Sequence, residues 1–325
     1  MRINWEELVQ MTTLLNFKEK LKIIYSRNSI YINPGVKFLS MLVSLLVMTS
    51  YIGYSSLLKN PFVAVIISVI CAFLPVNFMV VIYSLVMLAN LYSISAEIAI
   101  IVFVFLIIMY CLYFRFSSKY GYVLLLMPVL CFVKLPFMLP LILGIGASPA
   151  SVVAMIFGIM IFFIMKYGSE EVVLIVNGTA SSGVDKMSSF LSKLIGNKEL
   201  LVLIVVFVIT TLVVYGLKRL SINYSSTIGI VTGGIVEVVM ILGGIYLFDI
   251  DGIFKVWMVC LFTVLSIAIV FVLQFFILAV DYSRTEYTQF EDDDYYYYVK
   301  AVPKIKVTAT DVRVKHINVK RTRRR

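Results

Sequence analysis

The run from Gly121 to Lys166 is almost wholly apolar, yet it breaks where a membrane helix should not. From Tyr122 it reads YVLLLMPVLCFVK, LP, FMLPLILGIGAS and then PASVVAMIFGIMIFFIMK. Two apolar pieces, Tyr122–Val133 and Phe137–Gly146, meet at Lys134-Leu135-Pro136, and a longer run follows from Pro149. Crossing a hydrocarbon core of about 30 Å takes about 20 helical residues, which neither short piece supplies. Pro136 has no N–H and cannot continue a helix cleanly, so the chain is expected to turn there. The economical reading is a helix–turn–helix that enters the bilayer, turns at depth beside a lysine and leaves on the same side. Two crossing arms are the alternative. Irregular backbone at such depth is tolerated only where protein or a water-filled cavity covers it. Lys134 and Pro136 are therefore candidate site residues.

Composition sets the class. Of 325 residues, 61% are hydrophobic and 14% charged, and the mean hydropathy is +1.00, which excludes a soluble domain. The expectation is an all-α polytopic membrane protein with about ten membrane helices, or six spans plus two re-entrant hairpins. Cys71, Cys111, Cys131 and Cys260 all lie inside apolar runs and read as small buried hydrophobes. The single histidine, His316, sits in a basic tail, so a histidine-based metal cage is poorly supplied and no cofactor is expected. A net charge of +10 points to orientation and anionic lipid; no nucleic-acid partner is expected.

Five segments follow in order. Residues 1–35 set Trp5, Leu8, Leu15, Leu21 and Ile24 among Lys18, Lys20, Lys22 and Arg27, a pattern for an amphipathic helix on the cytoplasmic surface. Residues 36–167 form a membrane domain whose first span is Phe38–Leu58. Asn60-Pro61 opens a broken unit in which Pro75-Val76-Asn77 separates Phe62–Leu74 from Phe78–Tyr92, and a full span, Ile94–Phe114, follows. CAFLPVNFM (Cys71–Met79) resembles CFVKLPFM (Cys131–Met138), which suggests two copies of a broken hairpin plus helix, 60–116 and 120–167. Each copy crosses an odd number of times, so the copies would be inverted, as in many secondary transporters. Pro75 and Asn77 join the candidates by this correspondence. The loop 168–199 carries Val184–Ile195 at amphipathic helical spacing. Residues 200–281 hold three further spans, and residues 282–325 form a short, β-containing tail. Starting with the N-terminus inside, Arg115, Lys119, Lys218, Arg219 and the terminal arginines all fall in the cytoplasm, as the positive-inside rule asks. The expected location is a bacterial plasma membrane with both termini cytoplasmic.

Glu237 lies near the middle of the span Ser226–Phe248, next to Gly233 and Gly234. An unpaired carboxylate there costs several kcal/mol unless it is protonated, paired or facing water. It reads either as a proton or cation site, paired with Lys134, or as a structural carboxylate bonded to a neighbouring helix. In the tail, the acidic cluster Glu291–Asp294 precedes Tyr295–Tyr298. Val299–Val319 then alternates apolar with basic residues, suggesting strands over 295–308 that pair with another copy, a partner or the helix ends. An unstructured basic arm at anionic lipid is the alternative.

The motif YSRTEYTQFEDDDYYYYVKAVPK, together with CAFLPVNF, resembles a family of uncharacterised multi-spanning membrane proteins of Clostridia often labelled ABC transporter permeases. That label would imply a separate ATPase subunit, since no GxxxxGK[ST] signature is present. The leading expectation is a transporter or permease of unknown substrate, with Lys134, Glu237, Asn77, Pro75 and Pro136 around its site and Glu237 as the group that would couple a proton or sodium ion. The alternative is a non-transporting scaffold whose tail, 282–325, forms a homo-oligomer or recruits a cytoplasmic partner. No nucleophile–base pair, zinc motif or carboxylate dyad is present to suggest an enzyme.

Overall fold

In lipid a chain must satisfy its own backbone polar groups, so long apolar runs become helices. The computed structural model describes residues 5–55, 57–176, 183–220, 222–248, 256–277, 286–292 and 294–301. Its helices are α1 (Trp5–Ile52), α2 (Pro61–Ala72), α3 (Val76–Ile94), α4 (Ala96–Phe116), α5 (Gly121–Phe132), α6 (Met138–Gly146), α7 (Ser151–Val176), α8 (Gly183–Ile195), α9 (Lys198–Lys218), α10 (Ser225–Phe248) and α11 (Val256–Ile277). Strands β1 (Glu286–Glu291) and β2 (Tyr296–Ala301) complete it. Polar residues set several boundaries. Asn60 caps α2 by accepting from the Phe62 N–H at 3.1 Å, with Pro61 in the first helical position. Asn197 caps α9 by accepting from the Leu200 N–H at 3.0 Å.

The bundle has two ends, each marked by hydrogen bonds between helix termini. At the first, Lys37 Nζ donates to the Leu74 carbonyl at 2.9 Å, Tyr113 donates to Asn77 Oδ1 at 3.0 Å, and Tyr120 and Ser148 are joined at 3.0 Å. Ser117 bonds the Ala150 carbonyl and Lys218 the Ile145 carbonyl at this same Lys37 end. At the other end Asn197 meets Tyr167, Lys166 pairs with Glu199 at 3.4 Å, and Lys198 donates to the Phe248 carbonyl at 3.4 Å.

Seven helices among the described residues are long and apolar enough to cross a membrane: α1, α3, α4, α7, α9 (reached through α8), α10 and α11. The chain is a helical membrane protein. The expected break at Pro75 does form, between α2, which ends at Ala72, and α3, which starts at Val76; the arm after it, expected as Phe78–Tyr92, is the 19-residue α3. The break from Lys134 to Pro136 does separate two short helices. At 12 and 9 residues, α5 and α6 are about 18 and 14 Å long, too short for a core of about 30 Å. The Tyr120–Ser148 bond brings their outer ends together at the Lys37 end.

α1 leads from the expected surface segment into the first span as two helical stretches joined at a kink at Asn28 (φ −114°, ψ 21°), with Pro34 in the second. Before the kink, Lys18 Nζ donates to the Phe275 carbonyl at 3.1 Å, tying the N-terminal arm to α11. The amphipathic stretch of the 168–199 segment is α8, which buries Phe190 and Leu194, whereas α7 continues to Val176, well into the expected loop. Cys71 and Cys131 are buried, but Cys111 and Cys260 are exposed on the bundle surface. In the tail, β2 pairs antiparallel with β1 of the same chain, Glu286 opposite Ala301. Stacking of Phe290 on Tyr297 at 4.9 Å supports the pair. β2 lies within the expected 295–308, and the Thr-, Tyr- and Phe-containing stretch before the acidic turn supplies its partner. Residues 302–325, with His316 and the terminal arginines, lie outside the described residues.

The two short helices join different partners. α5 packs chiefly on α7 and α1, within the large core that includes Tyr83, Met127 and Phe163. α6 packs on α9, α11 and α10, and helps enclose a smaller core of Leu141, Ile145, Val214, Ile230 and Val270. Val214 is the knob of that second core. A Cβ on Gly144 would lie 2.5 Å from the Val214 Cβ, and one on Gly233 would lie 2.4 Å from a Val214 methyl. Gly144→Ala is therefore expected to destabilise the fold by about 1–3 kcal/mol. Gly146→Ala, with nothing within 4 Å of the added carbon, should cost less than half as much. Thermal unfolding of the purified protein in detergent checks both; equal losses would contradict the close approach.

Candidate functional site

Hydroxyl side chains in apolar helices usually solve their hydrogen-bonding problem locally, by donating to the carbonyl four residues back. Ser68 does so to Ala64 at 2.7 Å, Ser84 to Val80 at 3.1 Å and Thr211 to Phe207 at 2.7 Å. Three hydroxyls depart from this habit. Thr210 on α9 and Thr263 and Ser266 on α11 are 0% exposed, and none of their oxygens has a hydrogen-bond partner. The fourth member of the set is Glu237, halfway along α10, also 0% exposed with both carboxylate oxygens unpartnered.

Packing explains why these residues lie together. Gly233 and Gly234 let α9 and α11 approach α10 from two sides. A Cβ on Gly233 would sit 3.5 Å from the Thr210 methyl, and one on Gly234 would sit 3.7 Å from the Thr263 methyl. Glu237 follows these glycines at i+4 and i+3, on the same helix face. Helical side chains lean toward the N-terminus, so its carboxyl is directed back toward the turn flanked by the two threonines. Ser266 is one turn from Thr263 on the same face of α11. These side chains, with five oxygen atoms among them, thus lie on three helices that pack at α10 near mid-depth.

The other candidates fall elsewhere. Among the described residues the ion pairs are Lys166–Glu199 at 3.4 Å and Lys193 with Glu170 and Glu171 at 3.5 Å, so the expected Lys134–Glu237 pair does not form. Lys134 is half-buried at the α5–α6 connection, and its backbone explains its place. Its N–H donates to the Cys131 carbonyl at 3.1 Å while Leu135 N–H donates to that of Leu130 at 2.8 Å. These two bonds and a φ of 63° at Lys134 make a Schellman cap, with lysine where glycine is usual. Pro136 is buried in the same connection. Pro75 is exposed at the start of α3, and Asn77 accepts from Tyr113 at the Lys37 end. These two are therefore apart from Glu237 and not brought to mid-depth.

Of the polar lining residues, Gln274 donates to Ser226 at 2.7 Å and Thr227 at 3.1 Å. Asn90 is buried, its amide donating to the Val86 carbonyl at 3.0 Å while its oxygen is unpartnered. Glu97, in the first turn of α4, accepts from Ser95. Sequence reasoning found Glu237 but missed Thr210, Thr263, Ser266 and the buried Glu171. The i, i+3 spacing of Thr263 and Ser266 was the one available signal, and it says nothing about which way the hydroxyls turn.

No protein-family model, curated protein or solved structure matches this chain. Geometry alone carries a functional reading.

A left-handed residue with a Cβ costs about 1–2 kcal/mol, and a β-branched one more. Lys134→Gly is therefore expected to keep or raise the unfolding temperature, and Lys134→Val to lower it. Equal stabilities for the two variants would contradict the left-handed cap.

Proposed function

We propose that this protein is a cation-coupled membrane transporter with its coupling site at Glu237. The observation that carries the reading is a carboxyl group at mid-depth, fully enclosed, with no hydrogen-bond partner and no counter-ion among the described residues. A structural carboxylate would be bonded to its neighbours; one left unpartnered at such cost suits a group that exchanges a proton or a small cation. Two short helices that open from the Lys37 end and reach only part of the depth add support, since broken helices line the sites of many transporters. Lys134 at their connection suits an anionic substrate group.

The Lys37 end is the cytoplasmic one in this reading. It carries Lys37, Arg115, Lys119, Lys218 and Arg219, whereas the opposite end mixes lysines with Glu97, Glu170, Glu171 and Glu199. Single cysteines at Ser118 and Ser188, in a background without the native four, test this. Ser188 should react with an impermeant thiol reagent added outside intact cells and Ser118 should not; the reverse pattern overturns the orientation.

A scaffold reading is favoured by the tail, where Phe290, Tyr296 and Tyr298 are exposed on a sheet that has two strands among the described residues. Reconstituted vesicles separate the two. Glu237→Gln is expected to lower exchange of labelled sodium or protons at least about 10-fold while the protein stays monodisperse. Unchanged exchange, or no exchange in the wild type together with loss of assembly on removing residues 286–301, would favour the scaffold.

A further inference from the structure

The geometry points to a sodium-binding site made by Glu237, Thr210, Thr263 and Ser266. The proposal deepens the transport reading by naming the cation, although binding is measurable without transport. The donor set is chemically uniform: two carboxylate oxygens and three hydroxyl oxygens, all 0% exposed and all without hydrogen-bond partners. Oxygen donors select hard cations, and no group of three or more His, Cys, Asp and Glu that could hold a metal ion is found among the described residues.

Charge decides between the hard cations. One carboxylate neutralises one monovalent ion, which leaves the junction uncharged in hydrocarbon. A divalent ion would leave a net positive charge there, and Ca²⁺ and Mg²⁺ draw their stability from more carboxylates or retained water. A proton alone would answer one carboxylate oxygen and leave the three hydroxyl oxygens unmatched. The hydroxyls carry the most weight. Thr211, beside Thr210, bonds the Phe207 carbonyl at 2.7 Å, so the local solution was open to this stretch of α9 and Thr210 does not take it. Lone pairs kept off the helix backbone, on the two helices that flank the one bearing the carboxylate, suit coordination of a small cation.

Binding of radiolabelled sodium to the purified protein in detergent, with potassium as competitor, is the test. Saturable binding is expected, at most weakly displaced by potassium. It should be abolished by Glu237→Gln and weakened about 10-fold or more by Thr210→Val and Thr263→Val, which nearly conserve volume. Sodium should also raise the unfolding temperature of the wild type and of Gly146→Ala, but not of Glu237→Gln, a readout that excludes a variant that has simply lost its fold. No saturable binding by folded wild type, or binding unchanged in Glu237→Gln, overturns the proposal. If vesicles carry cation flux in sodium-free buffer, transport stands and sodium falls. If sodium binds without flux, the site stands and transport falls.

Discussion

Helices in lipid gain nothing from hiding apolar surface, because the surrounding chains are as apolar as leucine; close packing must hold them together. In this protein one such close approach centres on Val214. Gly144 of α6 and Gly233 of α10 leave room for its side chain from two directions, and Gly229 lies a turn away with its Cβ position 3.6 Å from a Val214 methyl. That contact brings α9 and α10 together, and Gly234 does the same for α11 through Ile267. The glycines that permit the packing also precede Glu237 by one turn. Structural necessity and the polar junction are therefore built from the same stretch of α10, and the carboxyl is enclosed because its helix is gripped on two sides.

The second organising fact is the division of the broken segment. A tight hairpin would have paired α5 with α6, but the two short helices pack chiefly on different partners, α5 on α7 and α1, α6 on α9, α11 and α10. Their connection is fixed by a Schellman cap whose left-handed residue is lysine.

Much of this architecture was legible in the residues because the bilayer narrows the choices. Apolar runs of span length must be helical, so α4, α7, α9, α10 and α11 lie close to where hydropathy puts them, and Pro136 with Lys134 marks a true break. Glu237 stood out for the same reason, as a carboxylate in the middle of a span. Pro75 marks a break as well. A proline reads alike whether the helix after it is a short arm or a full span, and only the neighbours of α3 show that it begins a full-length helix at the Lys37 end. Asn77 was placed at depth by analogy with Lys134, whereas its bond to Tyr113 holds it at that end.

The amino-acid sequence by itself determined that this chain is a helical membrane protein, where its helices break, and that one carboxyl group lies at mid-depth. Each of these follows from short-range rules: residue hydropathy, the missing proline N–H, and the length needed to cross hydrocarbon. Which groups share a junction was decided only by tertiary structure. Thr210 and Thr211 are adjacent and chemically identical, yet one bonds its own helix and the other does not. The pairing that looked natural, Lys134 with Glu237, does not form, and the threonines beside the glycines that precede Glu237 come from α9 and α11. Side-chain direction and helix-to-helix contact depend on glycine-sized gaps between elements far apart in the chain, and no local pattern encodes them.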